Sequence, residues 1–252
     1  MAAVYICEIV ENKKLADVIF SITIACERLA EQARAGQFLH IKCGEELLLR
    51  RPFGICRVRG NALDIVFEVK GEGTRWLSMQ KPGDSLDIIG PLGNGFSLPE
   101  GNIIAVGGGM GTPPIYFAAE SAKGCVTAVL GFRERSRVIM TQSFEEICDE
   151  VYITTDDGSF GIHGQVIIPL EELLRKGGYE AVVTCGQRSM MHAVAKLCKQ
   201  YGVPCQVSME ERMGCGVGAC LVCACATSKD GKDRMSHVCI DGPVFNANEV
   251  IW

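Results

Sequence analysis

The sequence lacks several features that would assign it to a membrane, secreted or nucleic-acid-binding class. Its net charge is −5 and no basic run exceeds a few residues, so we expect no nucleic acid partner. The apolar stretch 18–26 is too short to span a bilayer, and residues 1–14 lack the basic start and apolar core of a secretory leader. The four histidines show no metal-ligand spacing, and we interpret them as ordinary polar or packing residues: His40, His163, His192 and His237.

Cysteine, by contrast, is abundant, with fourteen in 252 residues. Nine are scattered through apolar segments: Cys7, Cys26, Cys43, Cys56, Cys125, Cys148, Cys185, Cys198 and Cys205. Because no leader precedes them, they indicate free thiols in a reducing cytoplasm rather than a disulfide framework. The length allows two ordinary domains plus a small one, and an apolar content of 48% allows a sizeable core.

The most specific motif lies near the C-terminal end. Cys215, Cys220 and Cys223 have the spacing C-x4-C-x2-C, and Cys239 follows after fifteen further residues. This is the ligand spacing of a plant-type [2Fe–2S] cluster, in which three thiolates come from one loop and one from a distant segment. The motif predicts that these four cysteines hold such a cluster in a small domain over residues 209–252.

The glycines within the motif favour a cluster over zinc. Gly214, Gly216 and Gly218 let the backbone wrap closely around an inorganic core and direct N–H groups at its sulfurs. A structural zinc site usually draws its cysteines from two C-x2-C knuckles. Zinc binding and plain buried cysteines are the alternatives. Cys225 is close enough to compete with Cys223, but the spacing favours Cys223, and we interpret Cys225 as a residue packed under the loop.

Residues 1–98 predict an antiparallel β-barrel. Six short β-branched segments alternate with turn residues, at 4–10, 18–25, 37–42, 53–59, 63–69 and 85–89, and one short helix fits 74–79. Arg51 before Pro52 is suited to present a planar cation to a phosphate or a flavin edge. The helix that opens near Gly71 offers N–H groups and the Thr74 hydroxyl to an anion. A surface arginine and a simple helix cap are the alternatives.

Residues 102–208 switch to alternating strands and helices. Strands are predicted at 102–106, 126–130, 151–154, 181–184 and 203–208, with helices to about 123 and at 142–148, 165–176 and 189–201. This pattern is typical of a doubly wound parallel sheet that binds a nucleotide. The predicted fold class is therefore a multidomain chain: barrel, parallel α/β domain and small cluster domain.

Glycine-bearing loops follow three of these strands, at the sheet edge where open α/β sheets bind ligands. The first contains Gly107, Gly108, Gly109, Gly111 and Thr112, and its glycines permit close backbone approach to a pyrophosphate. The loop is not G-x-G-x-x-G, which disfavours a standard Rossmann dehydrogenase. Loops 184–191 and 155–161 are expected near it at the same edge. A tight strand–helix turn is the alternative interpretation of the first loop.

The sequence after the second strand leaves the nucleotide open. Glu134 is suited to bind the ribose 2′-hydroxyl of NAD, whereas Arg133 or Arg135 is suited to bind the 2′-phosphate of NADP.

Taken in order, these pieces resemble the ferredoxin–NADP reductase superfamily, and with the cysteine motif they closely resemble electron transfer subunits of dihydroorotate dehydrogenase B. The resemblance covers essentially the whole chain. Its marks are Arg-Arg-Pro at 50–52, Gly-Glu-Gly-Thr at 71–74, Gly-Gly-Gly-Met-Gly-Thr-Pro-Pro at 107–114, Thr-Asp-Asp-Gly-Ser at 155–159 and Cys-Ile-Asp-Gly-Pro-Val-Phe at 239–245. Among NAD and NADP it favours NAD.

The resemblance implies specific cofactor residues. FAD would contact Arg51, Pro52, Phe53, Gly54, Val66, Phe67, Glu68, Gly73 and Thr74. Relatives commonly carry serine or threonine at the position of Gly54 and arginine at that of Glu68, so here Lys70 or Arg51 is expected to face the pyrophosphate. NAD would lie on the first glycine loop, with Cys185 and Gly186 near the nicotinamide. Cys185 then packs against the ring or is simply a buried strand-end cysteine.

The combination of groups predicts an electron relay. A nicotinamide exchanges two electrons as hydride, whereas a [2Fe–2S] cluster carries one at a time, and a flavin can do both. FAD is therefore expected independently of the resemblance. The resemblance implies a partner subunit with FMN that oxidises dihydroorotate, in a heterotetramer of two subunits of each kind. Its electrons would pass through the cluster and FAD to NAD+, and this chain needs no acid–base residue for the substrate.

The sequence leaves two other roles open. In the first, the chain carries electrons from NAD(P)H to a ferredoxin, sulfur-reducing or hydrogenase complex, as similar modules do; the resemblance leaves this open because the partner determines the substrate. In the second, the chain is a nucleotide-binding module with a structural metal and no redox role.

Overall fold

The computed structural model describes residues 3–252, which form a closed barrel, a seven-stranded sheet and a hairpin. Met1 and Ala2, the first residues of the predicted domain 1–98 and of the segment 1–14, lie outside the described residues. The strands are β1 (Ala3–Ala16), β2 (Ile19–Ala25), β3 (Phe38–Ile41), β4 (Arg51–Arg59), β5 (Ala62–Glu68), β6 (Ser85–Leu92), β7 (Ile103–Gly108), β8 (Val126–Phe132), β9 (Glu150–Thr155), β10 (Ile162–His163), β11 (Ala181–Cys185), β12 (Cys205–Ser208), β13 (Ala224–Lys229), β14 (Lys232–His237) and β15 (Val244–Asn246). The helices are α1 (Glu27–Gln32), α2 (Glu72–Ser78), α3 (Thr112–Ser121), α4 (Thr141–Ile147), α5 (Ile167–Lys176) and α6 (Arg188–Tyr201). Within residues 3–252, no helix combines the length and apolar character that crossing a bilayer requires.

The barrel confirms the predicted antiparallel architecture. Its strand order is β1-β2-β5-β4-β3-β6, and β1 closes it by pairing with both β2 and β6. Side chains alternate along the strands, so that Leu86 and Ile88 of β6 are buried while Ser85 is exposed. Helix α1 was not predicted; it is only six residues long and packs the buried Leu29 and Ala30 against the barrel core.

The second sheet confirms the predicted doubly wound domain. Its order is β10-β9-β8-β7-β11-β12-β15, and all neighbours are parallel except β12 and β15. The central strands are buried along their length, as expected when helices cover both faces. Helices α3 and α4 pack into the core shared with the barrel, whereas α5 and α6 pack into a second core on the other face.

The C-terminal segment adds a strand to the seven-stranded sheet, here called the nucleotide sheet. The sequence analysis did not predict this strand. After β12 the chain forms the cysteine loop and the hairpin β13–β14, and then β15 pairs antiparallel with β12. The register places Gln206 opposite Asn246 and Ser208 opposite Val244. The segment 209–252 is therefore tied to the sheet at both ends. The domain boundaries at 98, 102 and 208 stay predictions.

A second set of bonds fixes the C-terminal segment to the barrel. The Asn94 backbone N–H donates to the carbonyl of Gly242 at 2.6 Å, and its Nδ2 donates to those of Ile240 at 3.1 Å and Asp241 at 3.0 Å. These carbonyls directly follow Cys239. Asn94 thus holds the segment of the fourth predicted ligand against the end of the barrel.

Replacing Phe144 tests the core under the nucleotide sheet. Phe144 is fully buried, and its ring meets that of Tyr116 edge-on at a centroid distance of 5.1 Å. We expect Phe144→Ala to lower the free energy of unfolding of the apoprotein by about 3–5 kcal/mol, because it removes this contact and leaves a cavity. Urea unfolding followed by circular dichroism measures the change. Leu48→Ala, at a side chain 96% exposed, is the control and should stay within about 0.5 kcal/mol. Equal effects of both substitutions would contradict this assignment of the core.

Candidate functional site

The segment 214–223, here called the cluster loop, joins β12 to β13 and surrounds sulfur atoms with backbone N–H donors. The Sγ of Cys215 accepts N–H groups from Val217 at 3.4 Å, Ala219 at 3.2 Å and Cys220 at 3.3 Å. In return, the N–H of Cys215 lies 3.3 Å from the Sγ of Cys220. Amides that converge on sulfur in this way stabilise the thiolate form that binds metal.

The four predicted ligand cysteines form two pairs. The Sγ atoms of Cys223 and Cys239 are 3.3 Å apart, and Cys215 and Cys220 are linked by the bonds just described. Within residues 3–252, no three cysteine, histidine, aspartate or glutamate side chains converge on one metal-ion position. A structural zinc ion needs four ligands at one point, whereas a two-iron cluster spreads four thiolates over two metal atoms. The paired arrangement therefore fits the cluster better than zinc.

The two pairs differ in environment. Burial acts to raise the pKa of Cys215, but hydrogen bonds from Val217 and Cys220 outweigh it and lower that pKa to about 7. Burial, followed by the neighbouring Cys223 thiol, raises the pKa of Cys239 to about 12. Cys220 is exposed, while Cys223 and Cys239 are each only 2% exposed. A cluster held here would have one end near solvent and the other inside the protein.

Two glycines of the cluster loop are required by space and by backbone conformation. Gly216 has φ +74°, and a Cβ there would lie 2.6 Å from Nδ1 of His40 on strand β3. Gly218 has φ +81°, and its Cβ would lie 2.9 Å from the Ile240 side chain. Larger residues would push the loop away from the barrel and from the Cys239 segment. Cys225 lies outside both thiol pairs, buried in β13.

A cavity of about 450 Å³ lies between the barrel and the carboxyl ends of the parallel strands. Five of the predicted cofactor residues line it: Glu68 from the barrel and Gly108, Gly109, Gly111 and Gly186 from the nucleotide domain. Gly107, Thr112 and Cys185 lie outside its lining, and Thr112 and Cys185 are almost fully buried. On the side of the nucleotide domain, glycines therefore bring backbone N–H groups to the cavity wall, which suits a phosphate-bearing ligand.

The two glycine loops touch, as predicted from their strands. Strand β7 pairs with β11, which brings Gly107 opposite Cys185. A Cβ at Gly186 would lie 3.1 Å from the Cα of Gly108, and one at Gly111 would collide with the Cys185 carbonyl. Side chains are thus excluded where the loops meet.

Cys185 is a buried strand-end thiol. It is 2% exposed, and burial followed by the charge of Glu210 raises its pKa well above the usual range. A neutral thiol in this position is unsuited to nucleophilic attack. Of the two interpretations of Cys185, the structure matches the buried strand-end cysteine. In that position Cys185 is suited to pack against a ligand and not to react with it.

A charge cluster crosses the cavity between the barrel and the nucleotide domain. Glu68 Oε1 lies 2.6 Å from Arg137 Nη1, and Glu68 Oε2 lies 3.1 Å from Lys70 Nζ. Burial alone would raise the pKa of Glu68, but Lys70 and Arg137 outweigh it and lower that pKa. The expectation that Lys70 or Arg51 supplies the compensating charge thus missed Arg137, because Arg137 is distant in sequence and approaches only in the folded chain.

The other predicted flavin residues lie on or beside strand β4. The rings of Phe53 and Phe67 meet edge-on at 5.6 Å within the barrel core, and Val66 is buried beside them. Arg51 and Pro52 begin β4, and a Cβ at Gly73 would lie 3.2 Å from the Arg51 Nε. The arginine segment and the start of α2 are therefore brought together.

Gly54 and Thr74 are each constrained by a close neighbour. A Cβ at Gly54 would lie 3.3 Å from Pro114 of α3, which leaves little room for the serine or threonine of relatives. The Thr74 hydroxyl accepts N–H groups from Lys70 at 2.9 Å and Gly71 at 3.1 Å. It therefore acts as a helix cap in this structure, and an anion here would meet backbone N–H groups instead.

The candidates for nucleotide choice are spread apart. Arg133 lines the cavity, Arg135 lies over the Phe160 ring at 5.5 Å, and Glu134 accepts a hydrogen bond from Ser136 at 2.6 Å. Only Arg133 therefore reaches the cavity directly.

Glu210 and His40 were missed by sequence reasoning. Glu210 follows β12 and lines the cavity as an exposed residue. Its position at the carboxyl end of a parallel strand was the available signal. His40 is fully buried against the cluster loop, which no local pattern indicates. Elsewhere, the His192 ring stacks on Trp252 at 5.0 Å, and Nδ1 of His237 lies 3.7 Å from Asp241.

The chain is similar to known proteins along its whole length. Residues 210–251 match the family model of the iron-sulfur cluster binding domain of dihydroorotate dehydrogenase B. The NAD(+)-type electron transfer subunit of dihydroorotate dehydrogenase B from Caldanaerobacter subterraneus subsp. tengcongensis is 37% identical over 97% of each chain. The corresponding subunit from Desulforamulus reducens is 41% identical over 89% of each.

Solved structures agree on the fold. A chain of the NADH-dependent reduced ferredoxin-NADP oxidoreductase superimposes with a TM-score of 0.88 and 33% identity, covering 100% of this chain and 92% of that one. The ferredoxin reductase of carbazole 1,9a-dioxygenase, at 18% identity, gives a TM-score of 0.67 over 81% of this chain and 67% of that one. Together with the paired thiols and the cavity, the full-length similarity leads to one conclusion. The chain belongs to the family of dihydroorotate dehydrogenase B electron transfer subunits.

Proposed function

We propose that this chain carries electrons from a dihydroorotate-oxidising partner subunit to NAD+ by way of a [2Fe–2S] cluster and FAD. The observation that carries the proposal is the contact of the cluster loop with strand β3, at Gly216 and His40. Strand β3 pairs with β4, which carries the proposed flavin residues 51–54. The cluster site and the flavin site are therefore neighbours within one folded unit.

The chain's own residues position these groups. When bound, the flavin exchanges electrons singly with the cluster and as hydride with the nicotinamide. Cys215, Cys220, Cys223 and Cys239 would hold the cluster, and loop amides would donate to its sulfurs. No residue of this chain acts as an acid or base on dihydroorotate, because that oxidation belongs to the partner.

FAD would lie along the barrel, with Arg51, Pro52, Phe53 and Gly54 on β4 and Val66, Phe67 and Glu68 on β5. Gly73 and Thr74 at the start of α2 would offer backbone N–H groups to its phosphates. Arg137 and Lys70, which neutralise Glu68, keep that carboxylate from repelling the pyrophosphate.

NAD would enter the same cavity from the nucleotide domain. Gly108, Gly109 and Gly111 would form the first wall, with Gly107 and Thr112 supporting the loop from outside the cavity lining. Gly186 would form the second wall, near the nicotinamide, with Cys185 buried behind it. Among the residues weighed for nucleotide choice, Arg133 alone lines the cavity, and NAD is favoured by the relatives' shared description as NAD(+) enzymes.

The partner would be an FMN-containing catalytic subunit in a heterotetramer of two subunits of each kind. Apolar side chains are exposed around the cluster: Val217, Leu221, Val222 and Ile240 are 44–57% exposed. An apolar rim beside an electron carrier suits a permanent protein interface. All fourteen cysteines are free thiols, which suits a reducing cytoplasmic setting.

Cysteine replacement tests the ligand set. We expect Cys220→Ser to abolish the iron–sulfur absorption of the anaerobically reconstituted protein, because one metal atom loses a thiolate. Cys225→Ser is the matched control and should keep about two iron and two sulfide per chain. Iron and sulfide analysis with visible absorption measures both. Loss of the cluster in Cys225→Ser alone would make Cys225 the ligand.

Replacing Arg137 tests the charge cluster. We expect Arg137→Ala to weaken FAD binding about three- to tenfold, because Glu68 then faces the pyrophosphate with less compensation. The double variant Arg137→Ala/Glu68→Gln should recover most of the affinity. Fluorescence titration of the apoprotein with FAD measures it, with Arg135→Ala as the control. Failure of Glu68→Gln to restore binding would show that Arg137 acts in another way.

A reconstitution assay tests the overall role. The loaded chain, mixed with the catalytic subunit of a dihydroorotate dehydrogenase B, should reduce NAD+ when dihydroorotate is added. The chain alone should show flavin and cluster bands that NADH bleaches. Bleaching by NADH without dihydroorotate-dependent turnover, together with rapid reduction of ferredoxin, would favour the role of the 33%-identical structural relative instead.

A further inference from the structure

His40 is a buried polar side chain to which the proposed electron path assigns no role. It lies on β3, where Leu39 and Ile41 belong to the core that includes the barrel interior, while Phe38 packs with Cys223 and Cys239. Because side chains alternate along a strand, His40 shares the face of Phe38 and is directed towards the cluster segment. Its exposure is 0%.

The ring of His40 has no hydrogen-bond partner in the protein. Both Nδ1 and Nε2 are buried and unpaired, whereas buried polar groups in folded proteins are normally paired. The nearest part of the cluster loop is Gly216, whose missing Cβ would lie 2.6 Å from Nδ1. An imidazole held so closely by a metal-binding loop is placed to interact with whatever the loop holds.

The neighbours of His40 hold its backbone in place. Its carbonyl accepts a bond from Arg50 Nη1 at 3.5 Å, and Arg50 is anchored by Asp87 through bonds of 2.8 Å to the carbonyl and to Oδ2. In either protonation state an imidazole carries at least one ring N–H donor.

We propose that His40 is a positioning residue for the cluster: its ring N–H, unpaired in this structure, donates to the cluster loop at Cys215–Gly216 when the cluster is bound and stabilises the reduced cluster. His40 lies opposite Pro52 in the β3–β4 register, so the residue that contacts the cluster loop neighbours the strand with the proposed flavin residues. Its N–H dipole presents a positive end to the loop, and this favours the form of the cluster that holds one more electron. The inference rests on the proposed cluster and flavin sites.

The first test compares matched variants of the loaded chain without a partner or dihydroorotate. We expect His40→Leu to keep the cluster and to lower the ratio of reduced to oxidised cluster at a fixed potential about 2- to 13-fold, which corresponds to the roughly 0.5–1.5 kcal/mol of one hydrogen bond. His40→Gln, which keeps a donor, should shift the ratio less. Leu39→Met, on the opposite face of the same strand and in the other core, is the control and should leave it unchanged. A redox titration monitored by electron paramagnetic resonance gives the ratio.

Equal shifts in His40→Leu and Leu39→Met, or no shift in a fully loaded His40→Leu, would overturn the proposal. Because these readings need only the cluster, they are independent of whether dihydroorotate is the electron source. A protein that reduces NAD+ normally with its partner but shows no His40 effect would fail this inference while the proposed function stands.

The second test does not depend on a His40 variant that folds. Protein with histidine labelled by ¹⁵N only in the ring is examined by pulsed electron paramagnetic resonance of the reduced cluster. His237 lies two residues before Cys239, so the measurement uses His237→Gln. We expect a weak histidine-nitrogen coupling to persist in this variant. Its absence would show that the His40 ring does not interact with the cluster loop.

Discussion

The contact of the cluster loop with the outer face of strand β3 is the constraint on which the rest of the site depends. Glycine at position 216 allows the loop to lie directly on His40, and β3 in turn pairs with the proposed flavin strand. Electron transfer between two bound groups requires them to stay close. Here the cluster loop lies on strand β3 through a contact of Gly216 with the buried His40 ring, so the two proposed sites belong to one packed unit.

The cavity between the barrel and the parallel sheet carries a negative charge that two neighbouring cations compensate. A carboxylate, Glu68, lines a cavity suited to phosphates, and this would weaken anion binding if it stood alone. Lys70 from the same strand region and Arg137 from the nucleotide domain both pair with it. Of these two ion pairs, the one between Glu68 and Arg137 also links the barrel to the nucleotide domain across the cavity, so that charge compensation and domain contact share the same atoms.

Local patterns predicted most of the fold and the outline of the site. Alternating β-branched segments gave the barrel, and the strand–loop–helix rhythm gave the parallel sheet, because both signals repeat over neighbouring residues. The cysteine spacing is likewise local apart from Cys239. Strand β15 was not predicted because three residues are too few to show a periodic pattern, and its pairing with β12 spans about forty residues. The sequence also did not predict the places of three residues at the site, because each contacts a neighbour that is distant in sequence: Arg137, His40 and Glu210.

The segment that carries Cys239 is anchored by two separate parts of the fold. The hairpin β13–β14 brings Cys239 next to Cys223, since the Val238 N–H donates to the Cys223 carbonyl at 2.9 Å. Asn94 of the barrel end binds the carbonyls that follow Cys239, and five residues after Cys239 the chain enters β15 of the parallel sheet. A change that loosens either the barrel end or the edge of the sheet therefore also disturbs the fourth predicted ligand, so the cysteine site reports on the integrity of the whole chain.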